Sequence, residues 1–326
     1  MSRIPLVGLS LLGNILSPAG AKAKLAILIY HRVFANPDPL SPGEPTISEF
    51  DWQMAALRRH FNPLPLSEAA IRLETGTLPA RAISVTFDDG YADNYELALP
   101  ILRKWGISAT FFIATGFLNG GRMWNDTVIE TVRAARGGHL DLNEMDLGKY
   151  VIDTKQDRRD TIRSLLSQLK YLSPPERQER IHLLAKSVGK CLPGNLMMTS
   201  EQVKLMRSAG MEIGAHTVSH PILTRLPLPE AEREILQSRD QLEGLLGDGV
   251  TSFAYPNGRP GEDYDRSHVE AVRKAGFKVC VSTSWGCSRR DDDLLQLPRI
   301  TTWDRTPLTF SARIIKSYVR KTTVFV

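Results

Sequence analysis

Short apolar runs recur along this chain, and helix-like stretches lie between several of them. The strand candidates are 25–31, 83–87, 108–113, 211–215, 251–255 and 277–283, and the helix candidates are 94–105, 201–209, 230–246 and 266–275. Alternation of this kind predicts an α/β fold with a parallel sheet closed or nearly closed on itself. With 326 residues, 42% of them hydrophobic, the chain can bury such a core in one domain. In barrels of this type the functional side chains lie at the carboxyl ends of the strands.

Two adjacent carboxylates, Asp88 and Asp89, end one of the apolar runs and directly precede Gly90. Neighbouring residues on a strand point to opposite faces, so both carboxylates can serve one site only if the backbone turns, and glycine permits that turn. One carboxylate can then hold a metal while the other accepts a proton. Taken alone, Asp-Asp-Gly is more typical of a solvated turn.

A second polar cluster, His216-Thr217-Val218-Ser219-His220, follows another strand candidate. Two neutral imidazoles at this spacing can reach one Zn²⁺, and with Asp89 they make a site of two histidines and one carboxylate. The chain has 7 histidines, so such a pair arises by chance in about one sequence in eight and is weak on its own. The β-branched residues between the histidines favour a loop or a single turn over a long helix.

The combination of motifs is more specific, because the chain resembles the polysaccharide deacetylases, the NodB-homology carbohydrate esterases. The resemblance is carried by Thr86-Phe-Asp-Asp-Gly90, His216-Thr-Val-Ser-His220 and Phe253-Ala-Tyr-Pro-Asn-Gly258, in the family's order. It covers roughly residues 25–305 and thins between about 120 and 200. It implies a distorted (β/α) barrel and metal-dependent removal of acetyl groups from N-acetylated sugars.

The resemblance also implies roles for individual residues. Asp88 would be the general base, and Asp89, His216 and His220 would hold a divalent metal, with Zn²⁺ favoured and Co²⁺ or Ni²⁺ suited to the same ligands. The third motif would contribute Tyr255 and Pro256 to substrate binding, with the backbone N–H of Tyr255 or a neighbour stabilising the oxyanion.

Two departures from the family pattern concern the groups around the base. The arginine that usually orients the base is replaced by Ala254, and Arg299 is the candidate for that task. Arg299 can equally be read as an ordinary surface arginine. No histidine follows His268, so the usual general acid near the carboxyl end is missing.

His31 is the candidate for the missing acid. It ends the strand candidate 25–31, and its Tyr-His sequence resembles the poly-N-acetylglucosamine deacetylase branch of the family. At the barrel rim His31 could protonate the departing amine, because imidazole exchanges protons near neutral pH. The alternative is a strand-end histidine that only bonds a carbonyl.

The stretch from about 120 to 200 is charged and helix-like, and we interpret it as a helical insertion over one side of the barrel. Trp124 at its start either stacks on a sugar ring or packs the insertion down, and Trp303 faces the same alternatives with substrate contact favoured. Asp93 is interpreted as the N-cap of the helix that begins at Asn94.

The two ends of the chain indicate less about structure and location than the motifs do about function. Residues 1–24 are too polar and broken for a spanning helix and can be read as a weak signal sequence or anchor, which leaves cell envelope and cytoplasm both open. Residues 306–326 are expected to form a basic helix or tail. The net charge of +5 favours anionic partners, including peripheral association with a membrane. No nucleic-acid motif is present, and the oligomeric state is not fixed by the sequence.

Two function classes follow. The first is a metal-dependent N-deacetylase of an acetylated amino sugar in a polysaccharide or envelope glycan. The second is a carbohydrate-binding barrel without turnover, supported by the two departures. Hydrolysis of another non-peptide C–N bond is a further enzyme alternative. The sequence does not choose among glycans.

Overall fold

Within the residues that the computed structural model describes, 4–320 and 325–326, parallel strands close into a seven-stranded barrel. The strands of the chain are β1 (Leu25–Tyr30), β2 (Asn62–Pro63), β3 (Ala82–Phe87), β4 (Ala109–Ile113), β5 (His139–Asp141), β6 (Lys149–Val151), β7 (Glu212–Ala215), β8 (Ser252–Ala254), β9 (Val279–Trp285) and β10 (Leu297–Thr301). The barrel order is β1-β10-β9-β8-β7-β4-β3, and it closes where β3 pairs with β1. The predicted parallel α/β barrel is thus confirmed.

Helices surround the barrel. They are α1 (Ile4–Leu16), α2 (Ile47–His60), α3 (Leu66–Glu74), α4 (Leu99–Trp105), α5 (Trp124–Ala134), α6 (Lys155–Lys170), α7 (Pro174–Ser187), α8 (Ser200–Ser208), α9 (Leu228–Leu246), α10 (Arg266–Lys274) and α11 (Pro307–Ser317). A π-helical turn, Asn94–Ala98, precedes α4. All six strand predictions and all four helix predictions are confirmed within two residues at each end. The strands β2, β5, β6 and β10 and the helices α1, α2 and α3 were not predicted.

The alternation of side chains along β1 shows how the core is divided. Leu25 and Ile27 pack with Leu66 and Leu73 of α3 in one buried cluster, which also holds inward residues of other strands. Alternate residues of the same strand, such as Leu28, belong to the larger cluster beneath the outer helices. Because side chains alternate across a strand, the first set fills the barrel interior and α3 covers the end where the strands begin. The opposite end stays open for the site.

The region from about 120 to 200 lies between β4 and β7 and has its own apolar core. It holds α5, α6, α7 and the antiparallel hairpin β5–β6. Its buried residues include Val132, Leu140, Leu165 and Leu184. Since β4 ends at the open end of the barrel, α5 begins close to that end.

The two ends of the described chain pack together. Helix α1 contacts α11, and α11 in turn contacts α2. Phe310 and Ile314 of α11 are buried in the main core. No helix among the described residues is both long and apolar enough to span a membrane. Residues 1–3 and 321–324, which belong to the predicted end segments, lie outside the described residues.

Candidate active site

The backbone turn that separates Asp88 from Asp89 lies directly after β3. The N–H of Asp88 still donates to the carbonyl of Tyr30, at 3.0 Å, and so continues the pairing with β1. Asp89 and Gly90 then both take left-handed φ values, 76° and 90°. A Cβ at Gly90 would also lie 3.2 Å from Cδ1 of Ile113. The turn therefore requires glycine at position 90, and it gives the two carboxylates different surroundings.

Asp89, His216 and His220 form a compact cluster of metal-binding groups. The Oδ1 atom of Asp89 lies 3.5 Å from Nε2 of His216 and 3.4 Å from Nε2 of His220. One ligand atom from each residue lies within 4.8 Å of the others. Within the described chain, this buried Oδ1 atom has no hydrogen-bond partner. A buried carboxylate oxygen without a partner is costly, so this donor set fits a divalent cation.

The tautomer of His216 also fits a metal ligand. Its Nδ1 atom lies 2.7 Å from the carbonyl oxygen of Ala254. A carbonyl only accepts, so Nδ1 carries the proton and the lone pair of Nε2 points towards Asp89. Burial alone would lower the pKa of His216, but the negative charges of Asp88 and Asp89 beside it raise it above its ordinary value. Burial lowers the pKa of His220 to about 4, which keeps that imidazole neutral.

The segment that carries both histidines is a loop, as the sequence predicted, and Glu234 of α9 holds it in place. The Glu234 carboxylate accepts from the N–H groups of Val218 and Ser219, each at 2.8 Å, and from the Ser219 hydroxyl at 2.7 Å. Thr217 and His220 have left-handed φ values of 64° and 52°. These bonds stabilise the loop, whose left-handed backbone at Thr217 is one that β-branched residues rarely adopt.

Arg299 holds both carboxylate oxygens of Asp88. Nη1 donates to Oδ1 and Nη2 to Oδ2, each at 2.7 Å, and both side chains are buried. Nε of Arg299 donates to the carbonyl of Ser282 at 2.9 Å. Burial would raise the pKa of Asp88, but the guanidinium outweighs it and holds the pKa below its usual value. Asp88 is therefore ionised at neutral pH, with its plane fixed by a bidentate pair.

His31 lies at the same end of the barrel as the metal-binding cluster. It directly follows β1, and its main-chain oxygen accepts from Nδ2 of Asn94 at 2.9 Å. A cleft of about 250 Å³ is lined by His31 and Asp89 together with Glu44, Tyr91 and Asp126. The structure thus places the predicted acid and a predicted ligand on the walls of one cleft.

Asp126 is a buried acid in this cleft that the sequence did not single out for chemistry. The Tyr91 hydroxyl donates to its Oδ1 atom at 3.3 Å, whereas its Oδ2 atom has no partner among the described residues. Burial, with the charge of Asp89 adding to it, raises the pKa of Asp126 to about 7. The signal available in the sequence was its position two residues after Trp124, in a segment expected to approach the rim.

Replacing Asp126 by asparagine should change how stability depends on pH. The folded pKa of about 7 exceeds the ordinary 3.8, so the native state binds this proton more tightly and stability falls as pH rises from about 4 to about 7. Asparagine does not titrate, so Asp126→Asn lacks this fall in stability with rising pH. We compare the free energy of unfolding of Asp126→Asn with that of wild type, both as metal-free protein. We expect the advantage of the variant to be larger at pH 8 than at pH 5 by about 2 kcal/mol or more.

Thermal unfolding of both proteins at the two pH values measures this difference. Asp291→Asn, at an exposed position, is the matched control and should show no pH-dependent gain. A gain of Asp126→Asn that is equal at pH 5 and pH 8 would contradict the prediction.

The prediction that Asp93 caps the next helix is wrong. Asp93 has helical angles itself, φ −64° and ψ −16°, and makes no capping bond. Its carboxylate accepts from Nε of Arg32 at 2.8 Å and from the N–H of Val33 at 3.2 Å. Asp93 therefore ties the segment after His31 to the segment after Asp89.

Tyr255 and Pro256, both proposed for substrate contact, are buried. Tyr255 is buried, with its ring stacked on Tyr264 at 3.8 Å and its hydroxyl donating to the carbonyl of Leu295 at 3.0 Å. Its N–H donates to Val281 at 3.2 Å. Because both groups are engaged within the fold, we do not retain Tyr255 as a substrate contact or oxyanion donor. Pro256 is buried next to it.

The two tryptophans proposed for substrate contact, Trp124 and Trp303, are exposed to different degrees. Trp303 lies just beyond β10 and is 63% exposed. Trp124 is partly buried, and the guanidinium of Arg177 lies 5.1 Å from its ring centroid. One face of Trp124 is thus covered by an arginine, so it packs within the insertion while still lining a cavity.

Comparisons with known proteins agree with this geometry. The family model for polysaccharide deacetylases matches residues 75–140 and 167–280, more than half of the chain. YxkH of Bacillus subtilis, named as a candidate polysaccharide deacetylase, is 24% identical over 85% of this chain and 71% of its own length. The poly-β-1,6-N-acetyl-D-glucosamine N-deacetylase of Staphylococcus epidermidis is 24% identical over 62% of this chain and 70% of its own length.

A solved structure shows the same fold. The Streptococcus pyogenes deacetylase PplD, in complex with acetate, superimposes with a TM-score of 0.60 at 21% identity, covering 91% of this chain and 99% of its own. The barrel is accordingly the distorted β/α barrel of that structure. With the family model matched over most of the barrel, this chain belongs to the polysaccharide deacetylase family.

Proposed function

We propose that this protein is a metal-dependent N-deacetylase that removes acetyl groups from an N-acetylated amino sugar in a polysaccharide or envelope glycan. The main support for the proposal is that two adjacent carboxylates, Asp88 and Asp89, have different partners. Arg299 holds both oxygens of Asp88, whereas Asp89 points an unpartnered oxygen at two histidines. One carboxylate is thus set up as a base and the other as a metal ligand.

The residues of the site divide the work of amide hydrolysis. A divalent cation held by Asp89, His216 and His220 would polarise the acetyl carbonyl and acidify a water molecule. Asp88, ionised and oriented by Arg299, accepts a proton from the attacking water. His31 donates a proton to the sugar nitrogen as the C–N bond breaks. The products are acetate and a free amino sugar.

Zn²⁺ is the cation we favour for this site. Two imidazoles and one carboxylate are ligands that Zn²⁺ accepts readily, with positions left for water and substrate. Co²⁺ and Ni²⁺ suit the same ligands. Metal analysis of the purified protein identifies the cation.

The non-catalytic alternative loses one of its two supports. It rested on the missing arginine of the third motif and on the missing carboxyl-terminal histidine. The bidentate contact between Arg299 and Asp88 supplies an arginine from β10 in place of the first. His31, on the wall of the cleft, is our candidate for the second.

Poly-β-1,6-N-acetylglucosamine is the first substrate to test. Support comes from the name of the Staphylococcus epidermidis relative and from the Tyr30-His31 sequence at the end of β1. Trp303, exposed beyond β10, offers a ring on which a sugar could stack. The partner in this proposal is an acetylated glycan.

The test is product analysis with oligomers of N-acetylglucosamine. The proposal predicts acetate and new primary amines in equal amounts. Tight binding of the oligomers with neither product would instead support a carbohydrate-binding barrel. Amines formed only from a non-acetylated amide would move the activity to another C–N bond.

Replacing His31 tests its role as the proton donor. His31→Gln should lower kcat by about 10²-fold or more, because the amine then leaves without a positioned acid. KM should change little. Steady-state kinetics across pH measures both effects.

The control for this variant is His139→Gln, which alters an exposed histidine of β5. It should leave kcat and its pH profile unchanged. A His31→Gln protein with wild-type kcat would assign the proton to another group.

A further inference from the structure

A second cavity, of about 390 Å³, lies beside the metal-ligand loop and contains two arginines but no carboxylate. Its walls include Arg122, Arg177, Trp124, His182 and Ser219. None of its lining residues is Asp or Glu. The cavity is therefore a positively charged recess. A neutral sugar bound in it would not neutralise the charge of the two arginines.

Arg177 is the unusual member of this cavity. It is only 7% exposed, and its guanidinium makes a long hydrogen bond, from Nη1 to the carbonyl of Lys170 at 3.4 Å, and lies over the ring of Trp124. No carboxylate lies within 4.0 Å of its guanidinium in the described part of the chain, and burial lowers its pKa. Buried arginines are normally paired, because the desolvated charge is otherwise costly.

Arg122 repeats the pattern on the neighbouring wall. Its Nε donates to the hydroxyl of Thr127 at 2.9 Å and its Nη1 to the carbonyl of Pro193 at 2.6 Å. Both partners are neutral, and the described residues place no carboxylate in ion-pair range of it. By contrast, Arg133 and Arg299 each hold a carboxylate at 2.6–2.7 Å. The two arginines of this cavity thus keep their charge available.

The position of the cavity relates it to the proposed active site. Ser219, on its wall, immediately precedes the ligand His220. Trp124, on its wall, immediately precedes Asn125 and Asp126, which line the cleft with His31. The first turn of α5 therefore borders both spaces.

We propose that this cavity binds a carboxylate or phosphate group on a unit next to the sugar that is deacetylated, so that the natural substrate is an anionic glycan. The inference rests on the proposed function and narrows its substrate class. Planar guanidinium groups suit both anions, because each offers paired N–H donors to two oxygens.

The test compares three length-matched sets of N-acetylglucosamine-containing oligosaccharides. One is neutral, one alternates with glucuronic acid, and one carries glycerol phosphate. Calorimetric Kd values are measured with the intact chain of 326 residues, and kcat/KM for acetate release is measured on the same compounds. We expect at least one anionic set to bind about tenfold or more tightly than the neutral set. Whichever anionic set binds more tightly identifies carboxylate or phosphate.

Arg177→Gln and Arg122→Gln should each reduce the anionic-to-neutral ratio of affinities by about tenfold. Arg122→Gln decides the question if the more buried Arg177 variant fails to fold, as judged by its unfolding temperature. Arg103→Gln, at an exposed position on α4, is the control and should leave the ratio unchanged.

Equal Kd values for all three sets, or ratios unaffected by the cavity variants, would overturn this inference. Neither outcome affects the proposed function, which fails only if no set releases acetate. Preferential binding without acetate release would keep the anion site and reject the deacetylase.

Discussion

Asp88→Asn is expected to lower kcat for acetate release by about 10²–10⁴-fold while leaving metal affinity nearly unchanged. An amide cannot accept the proton of the attacking water, whereas the ligands Asp89, His216 and His220 are untouched. The variant should also be less stable, because Arg299 would stay buried without a charged partner. Steady-state kinetics and calorimetric titration of Zn²⁺ into chelator-treated protein measure the two effects.

Asp93→Asn is the matched control for this variant. It removes another buried carboxylate that pairs with an arginine, at 2.8 Å from Nε of Arg32, but not one that faces the proposed reaction. It should cost stability with a much smaller change in kcat. An Asp88→Asn protein that retains wild-type kcat would show that another group is the base.

Arg299→Met should destabilise the fold and impair catalysis together. Loss of the guanidinium leaves the Asp88 carboxylate buried without its cation, which costs about 3–5 kcal/mol in comparable cases. The folded pKa of Asp88 is depressed in wild type, so the ion pair adds stability at neutral pH that is lost as pH falls through that pKa. In the variant the pKa rises, and the acidic limb of the kcat profile should move to higher pH. Denaturant unfolding and the pH–rate profile measure these shifts.

Arg299→Lys separates charge from geometry. Lysine keeps a positive charge but cannot reproduce the two parallel bonds of 2.7 Å, so its stability and kcat should lie between those of wild type and Arg299→Met. Arg313→Met, at a partly exposed pair with Asp304, is the control and should cost about 1 kcal/mol or less. An unchanged pH–rate profile in Arg299→Met would contradict the role of Arg299 as the residue that positions Asp88.

The barrel could be predicted because its strands are almost wholly buried. Runs such as 25–31 and 83–87 are bounded by polar residues, and the helices between them follow apolar spacing. The strand β10 was missed because Pro298 interrupts its apolar run and Arg299 looks like a surface residue. Only the closed barrel shows why that arginine is inside, since β10 lies next to β1 and near β3.

The functional residues could be predicted where they lie close together in the sequence, as parts of short motifs. Asp88 with Asp89, and His216 with His220, are close in sequence, so each pair stood out, and the resemblance to the polysaccharide deacetylases assigned their roles. Glu234 could not be found in this way, because it acts on the histidine loop from α9. Its signal was a carboxylate within the buried stripe of that helix, between Ala231 and Ile235.

The errors have physical causes of the same kind. Asp93 has the residue type of an N-cap, but its carboxylate is taken by Arg32 across the rim. Tyr255 follows a strand that ends at the site, but its ring turns into the core and stacks on Tyr264. In both cases a tertiary partner distant in sequence decides the conformation.

Deacetylation should require a metal held by Asp89, His216 and His220. The most direct test is acetate release from N-acetylglucosamine oligomers by chelator-treated protein, before and after one equivalent of Zn²⁺ is added. We expect no release without metal and recovery on addition of Zn²⁺. Full release from protein shown to contain no metal would contradict it.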